Sequence, residues 1–362
     1  MNHACDSQSN GRPLDSLLIP SGIRPVEETS PQNSLEQRDE GGRLRRRSMA
    51  KGQSRPHKRG WLVLLLAVGL LQAPIFAQAV VVDLGASLEE GIETNLGGQS
   101  LIVEELTTTW CVSCAEIDPY LMNVADAHAS RIALMAYHPD DGVDAFGPEA
   151  AQHRIERLRA VDANLPGTPT FMVEGGAYRT GTDAWVDVQR DILDLEVARQ
   201  SFTQLQFNVQ RINESIHATI TTFDGHAMNG SQLTFMVLEH GKTVPKGFDN
   251  PGEPARDRVV VATAECRLGD GFVSTSIGLV HSEAPTSCTT DFSIEFEPLD
   301  SFSVVLLHES DYQSIEAQED LGTYGALEFA YRERSSGEAW NPVWVVLGVT
   351  AFTGLLIVQK RD

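Results

Sequence analysis

The sequence predicts an α/β domain, then an all-β antiparallel sandwich, then a C-terminal transmembrane helix. Three observations lead there. Between residues 80 and 200, short apolar runs alternate with stretches of helical spacing. From about Phe202 the apolar residues fall into period two. Near the C-terminus, Pro342–Val358 is 17 residues without a charge.

In the first region, Leu101–Leu106 (LIVEEL) and Ile132–Tyr137 are apolar runs of strand length. Cys111–Ala129 carries Ile117, Leu121, Val124 and Ala125 at helical intervals, and Pro148–Ala160 does the same with Ile155 and Leu158. Thr170–Val173 is a strand closed by Glu174-Gly175-Gly176, with Ala177–Thr180 placed to pair with it as a hairpin. Thr182–Ala198 returns to helical period through Trp185, Val188, Ile192 and Leu195. The order β-α-β-α-β-β-α makes residues 80–200 an α/β domain. Downstream, Leu205, Phe207 and Val209 alternate with polar partners, as do Ile216, Ala218 and Ile220, and Leu233, Phe235 and Val237. Further strand-like runs at Val259–Ala262, Phe272–Ile277, Phe292–Phe296 and Phe302–Leu307 predict a sandwich over residues 201–335.

Charge narrows the function classes. Residues 1–79 hold 11 Lys/Arg and 7 Asp/Glu, whereas residues 80–341 hold 15 and 42, a net of −27. Such a surface repels polyanions, so nucleic acid is not an expected partner. Residues 1–48 lack periodicity and read as a disordered leader. Met49 then opens a basic stretch, the apolar run Trp61–Leu71 and Ala77-Gln78-Ala79, which together match a signal peptide over 49–79 with Met49 as the start. As a helix, 342–358 spans about 26 Å against the ~30 Å core of a bilayer. Trp340 and Trp344 flank it on one side, and Lys360 and Arg361 on the other. The expected location is therefore the cell membrane, single-pass, with residues 80–340 on the extracytoplasmic side.

Cys5 stands alone in the leader, Cys111 and Cys114 form a C-x-x-C, and Cys266 and Cys288 lie 22 residues apart. Without the leader four cysteines remain, an even count suited to an oxidising compartment. Cys266 and Cys288 flank a hairpin-like stretch and have no helix start beside them, so they read as a structural disulfide. The C-x-x-C follows a strand and opens a helix. A helix N-terminus stabilises negative charge, so Cys111 is the expected attacking thiolate and Cys114, one turn in, the resolving thiol. Trp110 can shield one side of the pair. No second C-x-x-C or H-x₃-H lies in the same domain, so no metal and no cofactor is expected.

With Trp110-Cys111-x-x-Cys114 after a strand, and Gly167-Thr168-Pro169-Thr170 ahead of another, the chain resembles the thioredoxin superfamily over about residues 85–200. With its appended β domain it resembles, more loosely, exported thioredoxin-like proteins of the outer-membrane-protein type. The resemblance implies a thioredoxin-like fold and thiol-disulfide oxidoreductase activity on protein substrates with cysteines or disulfides. It implies a cis Pro169 against the redox pair, Thr168 presenting its backbone to an incoming chain, and Glu105 as the buried strand carboxylate. Val112-Ser113 between the cysteines matches neither reductant nor oxidant, so redox direction is open. Glu104 is adjacent to Glu105, and in a strand only one of the two is expected to point inward. His138 reads as a surface-turn histidine. An alternative keeps the sandwich as the recognition element of a cell-surface binding or adhesion protein, with the redox domain secondary.

Overall fold

The computed structural model describes residues 80–333, apart from 129–130, 200, 227–228 and 318–321. The expected leader (1–48), signal peptide (49–79) and terminal helix (342–358) lie outside the described residues. The chain order begins β1 (Val80–Val82), β2 (Ile92–Glu93), β3 (Leu101–Leu106), α1 (Val112–His128), β4 (Ile132–Tyr137) and α2 (Glu149–Val161). It continues β5 (Thr170–Val173), β6 (Arg179–Thr180), a 3-10 turn at Thr182–Ala184 and α3 (Trp185–Ala198). Then come β7 (Gln204–Ile212), β8 (Ser215–Asp224), β9 (Ser231–Glu239), β10 (Lys242–Thr243), β11 (Ala255–Arg256) and β12 (Val259–Arg267). The last elements are β13 (Phe272–Ile277), β14 (His281–Glu283), β15 (Ser293–Phe296), β16 (Phe302–Ser310), α4 (Tyr312–Ala317) and β17 (Thr323–Tyr331).

The strand pairing corrects the expected fold class. One mixed sheet of ten strands runs β1-β17-β16-β9-β12-β4-β3-β5-β6, with β13 beside β12. It crosses residue 200 where β12 joins β4 in parallel through Val259 and Ala136. The chain is therefore not a thioredoxin-like α/β domain followed by a free-standing sandwich. It is mostly mixed and antiparallel sheet with few helices. Among the described residues no helix is long and apolar enough to cross a membrane. A second, five-stranded antiparallel sheet, β14-β15-β8-β7-β2, covers part of one face, and β10 and β11 form a short ribbon.

The reason lies in the alternate positions of the central strands. In β9, Leu233, Phe235 and Val237 face the five-stranded sheet in one core cluster. Met236 and Leu238, pointing the opposite way, join Val305, Leu307 and the α2 residues Ile155 and Leu158 in a second cluster. A third packs α1 and α3 on the other face of β3 and β4, through Leu121, Ile192, Val103 and Leu134. A strand buried on both faces belongs to the middle of a layered fold rather than to one side of a sandwich.

Polar groups cross the same seam. Arg154 of α2 is buried and donates from Nη1 to Glu309 Oε1 (2.8 Å) on β16 and from Nη2 to Glu104 Oε1 (2.9 Å) on β3. Tyr137 OH donates to Glu104 (2.9 Å), and Thr234 Oγ1 to Glu309 (2.7 Å). Burial alone would raise Glu309, but Arg154, Arg157 and the Thr234 hydroxyl hold it down at about 2. His308, beside it, is pushed down to about 4 by burial.

Replacing Arg154 with Leu strands two buried carboxylates and should cost about 3–5 kcal/mol in urea unfolding; a loss below about 1 kcal/mol would show the cluster is not structural. Acid should act in two stages. His308 is neutral in the fold, so its contribution is complete above 6.5 and is lost as pH falls to about 4. The Glu309 contribution is complete above 4.5 and is lost as pH falls toward about 2. His308→Gln should flatten only the upper stage of a Tm-against-pH curve.

Candidate functional site

The C-x-x-C sits where β3 gives way to α1. Thr107 N donates to Tyr137 O (3.1 Å), the last rung beyond β3, and Cys111 N donates to Thr108 O (3.4 Å), turning the chain. Ala115 N donates to Cys111 O (3.0 Å), so Cys111 stands at the cap of α1. Cys111 and Cys114 are joined in a disulfide, with Cα atoms 5.2 Å apart. The Cys114 N–H donates to Cys111 Sγ (3.0 Å). The free N–H groups and dipole of the helix start thus favour negative charge on that sulfur. Cys114 is fully buried and Cys111 is 7% exposed, whereas Val112 between them is 71% exposed.

Trp110 is partly exposed and its Nε1–H donates to Asp141 Oδ2 (3.2 Å), which anchors the ring at the rim. The Thr168–Pro169 peptide is cis and Pro169 is buried. Antiparallel pairing sets Thr170 of β5 opposite Leu106 of β3, which brings this loop to the approach to Cys111. Thr108 Oγ1 and Thr168 Oγ1 are 3.5 Å apart. Thr168, Pro169 and Trp110 therefore gather around the segment that carries the pair.

The two adjacent glutamates are both buried, on opposite faces of β3, because both faces are covered. Glu104 belongs to the Arg154 cluster. Glu105 is fully buried with no hydrogen-bond partner on either oxygen among the described residues. It lines a cavity of about 240 Å³ together with Asp118, His138 and Arg256. Burial first, and then the Asp118 carboxylate, push Glu105 well above the usual carboxylate range, against the pull of Arg256.

His138 is not the surface-turn residue the sequence predicts. It is fully buried, its Nδ1 is 3.0 Å from Asp144 Oδ2, and its ring meets Phe146 edge-on at 4.9 Å. Its Nε2 is buried with no hydrogen-bond partner among the described residues. Asp144 also accepts from Thr109 N (2.7 Å) and Phe146 N (2.8 Å). Burial would raise its carboxyl, but His138 and these N–H groups hold it below its usual value. Sequence reading missed Asp118, Asp144 and Arg256. Asp118 had one signal: it is four residues after Cys114, on the same helix face.

Cys266 and Cys288 form the second disulfide, Cα atoms 5.6 Å apart, within the core between the two sheets. Neither lies at a helix start. Among the described residues no group of His, Cys, Asp and Glu is placed to hold a metal ion.

No protein-family model matches the chain, and no curated protein does. Among solved structures it is similar to HBP35 of Porphyromonas gingivalis, at 17% identity and a TM-score of 0.45, over 66% of this chain and 78% of that one. It is also similar to protein AGR_C_4864 from Agrobacterium tumefaciens, at 13% identity and a TM-score of 0.40, over 68% and 96%. Likenesses this distant carry no argument about activity.

Asp144→Ala would leave the Thr109 and Phe146 N–H groups unpaired. It should cost about 3 kcal/mol in urea unfolding; a loss below about 1 kcal/mol would count against the Asp144 bonds to Thr109 and Phe146 being structural.

Proposed function

We propose that the protein performs thiol-disulfide exchange on protein substrates outside the cytoplasm, with Cys111 as nucleophile and Cys114 as resolving thiol. The observation that carries this reading is the disulfide at the start of α1, with the Cys111 sulfur accepting the Cys114 N–H. Two further features support it. A buried carboxyl with a raised pKa, Glu105, stands on β3 six residues before Cys111, and Thr168 meets Thr108 on the turn between them. A second disulfide, Cys266–Cys288, fits an oxidising compartment.

In the reducing direction, the Cys111 thiolate attacks one sulfur of a substrate disulfide. That S–S bond breaks, and its electron pair leaves on the other substrate sulfur. The Cys114 thiol then gives its proton to the carboxylate of Glu105 and attacks Cys111 Sγ. The Cys111–Cys114 bond forms, the mixed disulfide breaks, and the second substrate thiolate departs. The oxidising direction is the reverse, with Glu105 returning the proton to the leaving Cys114 sulfur. The substrate's own reduction potential sets which way the exchange runs.

Cys111→Ser should abolish insulin reduction and the refolding of a reduced substrate. Cys114→Ser should accumulate mixed disulfides visible as reductant-sensitive bands on non-reducing gels. Normal turnover by Cys114→Ala would rule out the two-cysteine route.

A further inference from the structure

Asp118 follows Cys114 by one turn of α1, on the same helix face, and Ala115, the residue after Cys114, lines the cavity with it. It lines the same cavity as Glu105, and its Oδ1 is buried with no hydrogen-bond partner. The third wall comes from the far half of the chain. Arg256 of β11 is buried, and its Nε is 3.6 Å from Asp118 Oδ2 with no other partner. Its Nη2 donates to Asn250 Oδ1 (2.6 Å) and to Thr109 O (3.4 Å), and its Nη1 to Glu253 O (2.5 Å). The guanidinium is thus tied both to the turn that leads into Cys111 and to the loop between β10 and β11, leaving its Nε edge for Asp118.

Two carboxyls and one guanidinium lining one cavity, with Glu105 fully buried and Asp118 mostly so, carry two negative charges only at a cost. Two coupled acids in such a place titrate as a unit. We infer that Glu105 and Asp118 share one proton in the disulfide form, and that Arg256 is the positioning residue that lets the pair exchange this proton with Cys114. The inference rests on the exchange reading above and adds a second carboxyl and a remote cation to it. With the disulfide intact the cavity holds one carboxyl, one carboxylate and one guanidinium. When the Cys111–Cys114 bond is reduced, its electron pair stays on the Cys114 sulfur and the shared proton moves there. The pair is then doubly ionised beside Arg256. When the disulfide re-forms, the proton returns.

The other charged or titratable groups at this cavity are His138 at the end of β4, held by Asp144, and Glu253 and Asp257 around Arg256. Asp257 Oδ1 is hydrogen-bonded to His240 Nδ1 at 2.7 Å. Burial raises both members of the pair, and Arg256 lowers both.

The test uses the exported chain and reads the pH dependence of Cys114 attack, as the rate at which a mixed disulfide on Cys111 is resolved. Removing the cation makes the doubly ionised pair harder to form. Arg256→Gln should therefore move the midpoint up by about one pH unit, roughly a tenfold slower resolution at fixed pH below it. Arg256→Lys should restore most of it. Asp118→Asn removes the like charge facing Glu105, so its midpoint should move down. Opposite shifts from these two variants are expected if the acid that takes the Cys114 proton lies in the field of both Asp118 and Arg256. An infrared difference spectrum of the wild-type protein, with and without a chemical reductant, should show a protonated-carboxyl band in the disulfide form that is lost on reduction. Midpoints unmoved in both variants, with only melting temperature changed, would overturn the inference, as would a carboxyl band indifferent to reduction. No exchange by the wild-type protein would instead overturn the reading on which it rests, and the infrared result would still decide whether the pair holds a proton.

Discussion

A single buried arginine sets the terms for the rest of the molecule. Arg154 lies on α2 between Glu104 of β3 and Glu309 of β16, two carboxylates 205 positions apart in the sequence and both out of reach of water. An ion taken from water into a protein interior costs several kcal/mol unless its partners meet it with good geometry. Here the bidentate bond to Glu309, the bond to Glu104, and the Tyr137 and Thr234 hydroxyls supply those partners at 2.7–3.1 Å. Such a cluster adds little net stability compared with an apolar core, but it tolerates almost no displacement. It therefore fixes how α2 lies across the sheet, and with it how the early strands meet the late ones.

That placement explains why the sheet can continue from β4 into β12 on a single parallel pairing. Hydrogen bonding across this seam is sparse. The joint is held instead by the apolar cluster that Met135, Ile155, Met236, Val260 and Val305 share on either side of it. The joint also delivers the β10–β11 ribbon to α1. Gly252 shows how close this approach is: a Cβ there would come within 2.9 Å of the Ala115 side chain, one residue beyond Cys114. The start of α1, which carries Cys111 and Cys114, is thus met by both halves of the chain. Trp110 and Val112 are its exposed side chains, and the Arg256 guanidinium reaches the turn before it through Thr109 O.

Much of the local structure was legible. LIVEEL followed by a short turn and Trp-Cys-x-x-Cys could only end a strand and begin a helix, because the apolar spacing changes from two to nearly four at that point. Thr168 and Pro169 come to the segment that carries the pair because β3 and β5 are antiparallel neighbours, although α1, β4 and α2 lie between them in the chain. The pairing of Cys266 with Cys288 follows from their isolation from any helix start.

The fold class was not legible, and the reason is a matter of faces. Period two in Leu233, Phe235 and Val237 describes one covered side, and Met236 and Leu238 between them are just as buried. A sequence shows that a strand is apolar at alternate positions, but not which distant element covers its second side. The same limit applies to His138, Asp118 and Arg256. A histidine before Pro-Asp-Asp-Gly carries every local mark of a surface turn, and only the folding of Asp144 back onto it makes it interior. An arginine far from the redox motif in a β-rich stretch carries no local mark at all. Local chemistry, meaning which residues can hold a thiolate at a helix start, is written in short-range spacing and was determined by the sequence alone. That Arg256 meets Asp118 depends on a contact between residues 138 positions apart, and only the tertiary structure decided it.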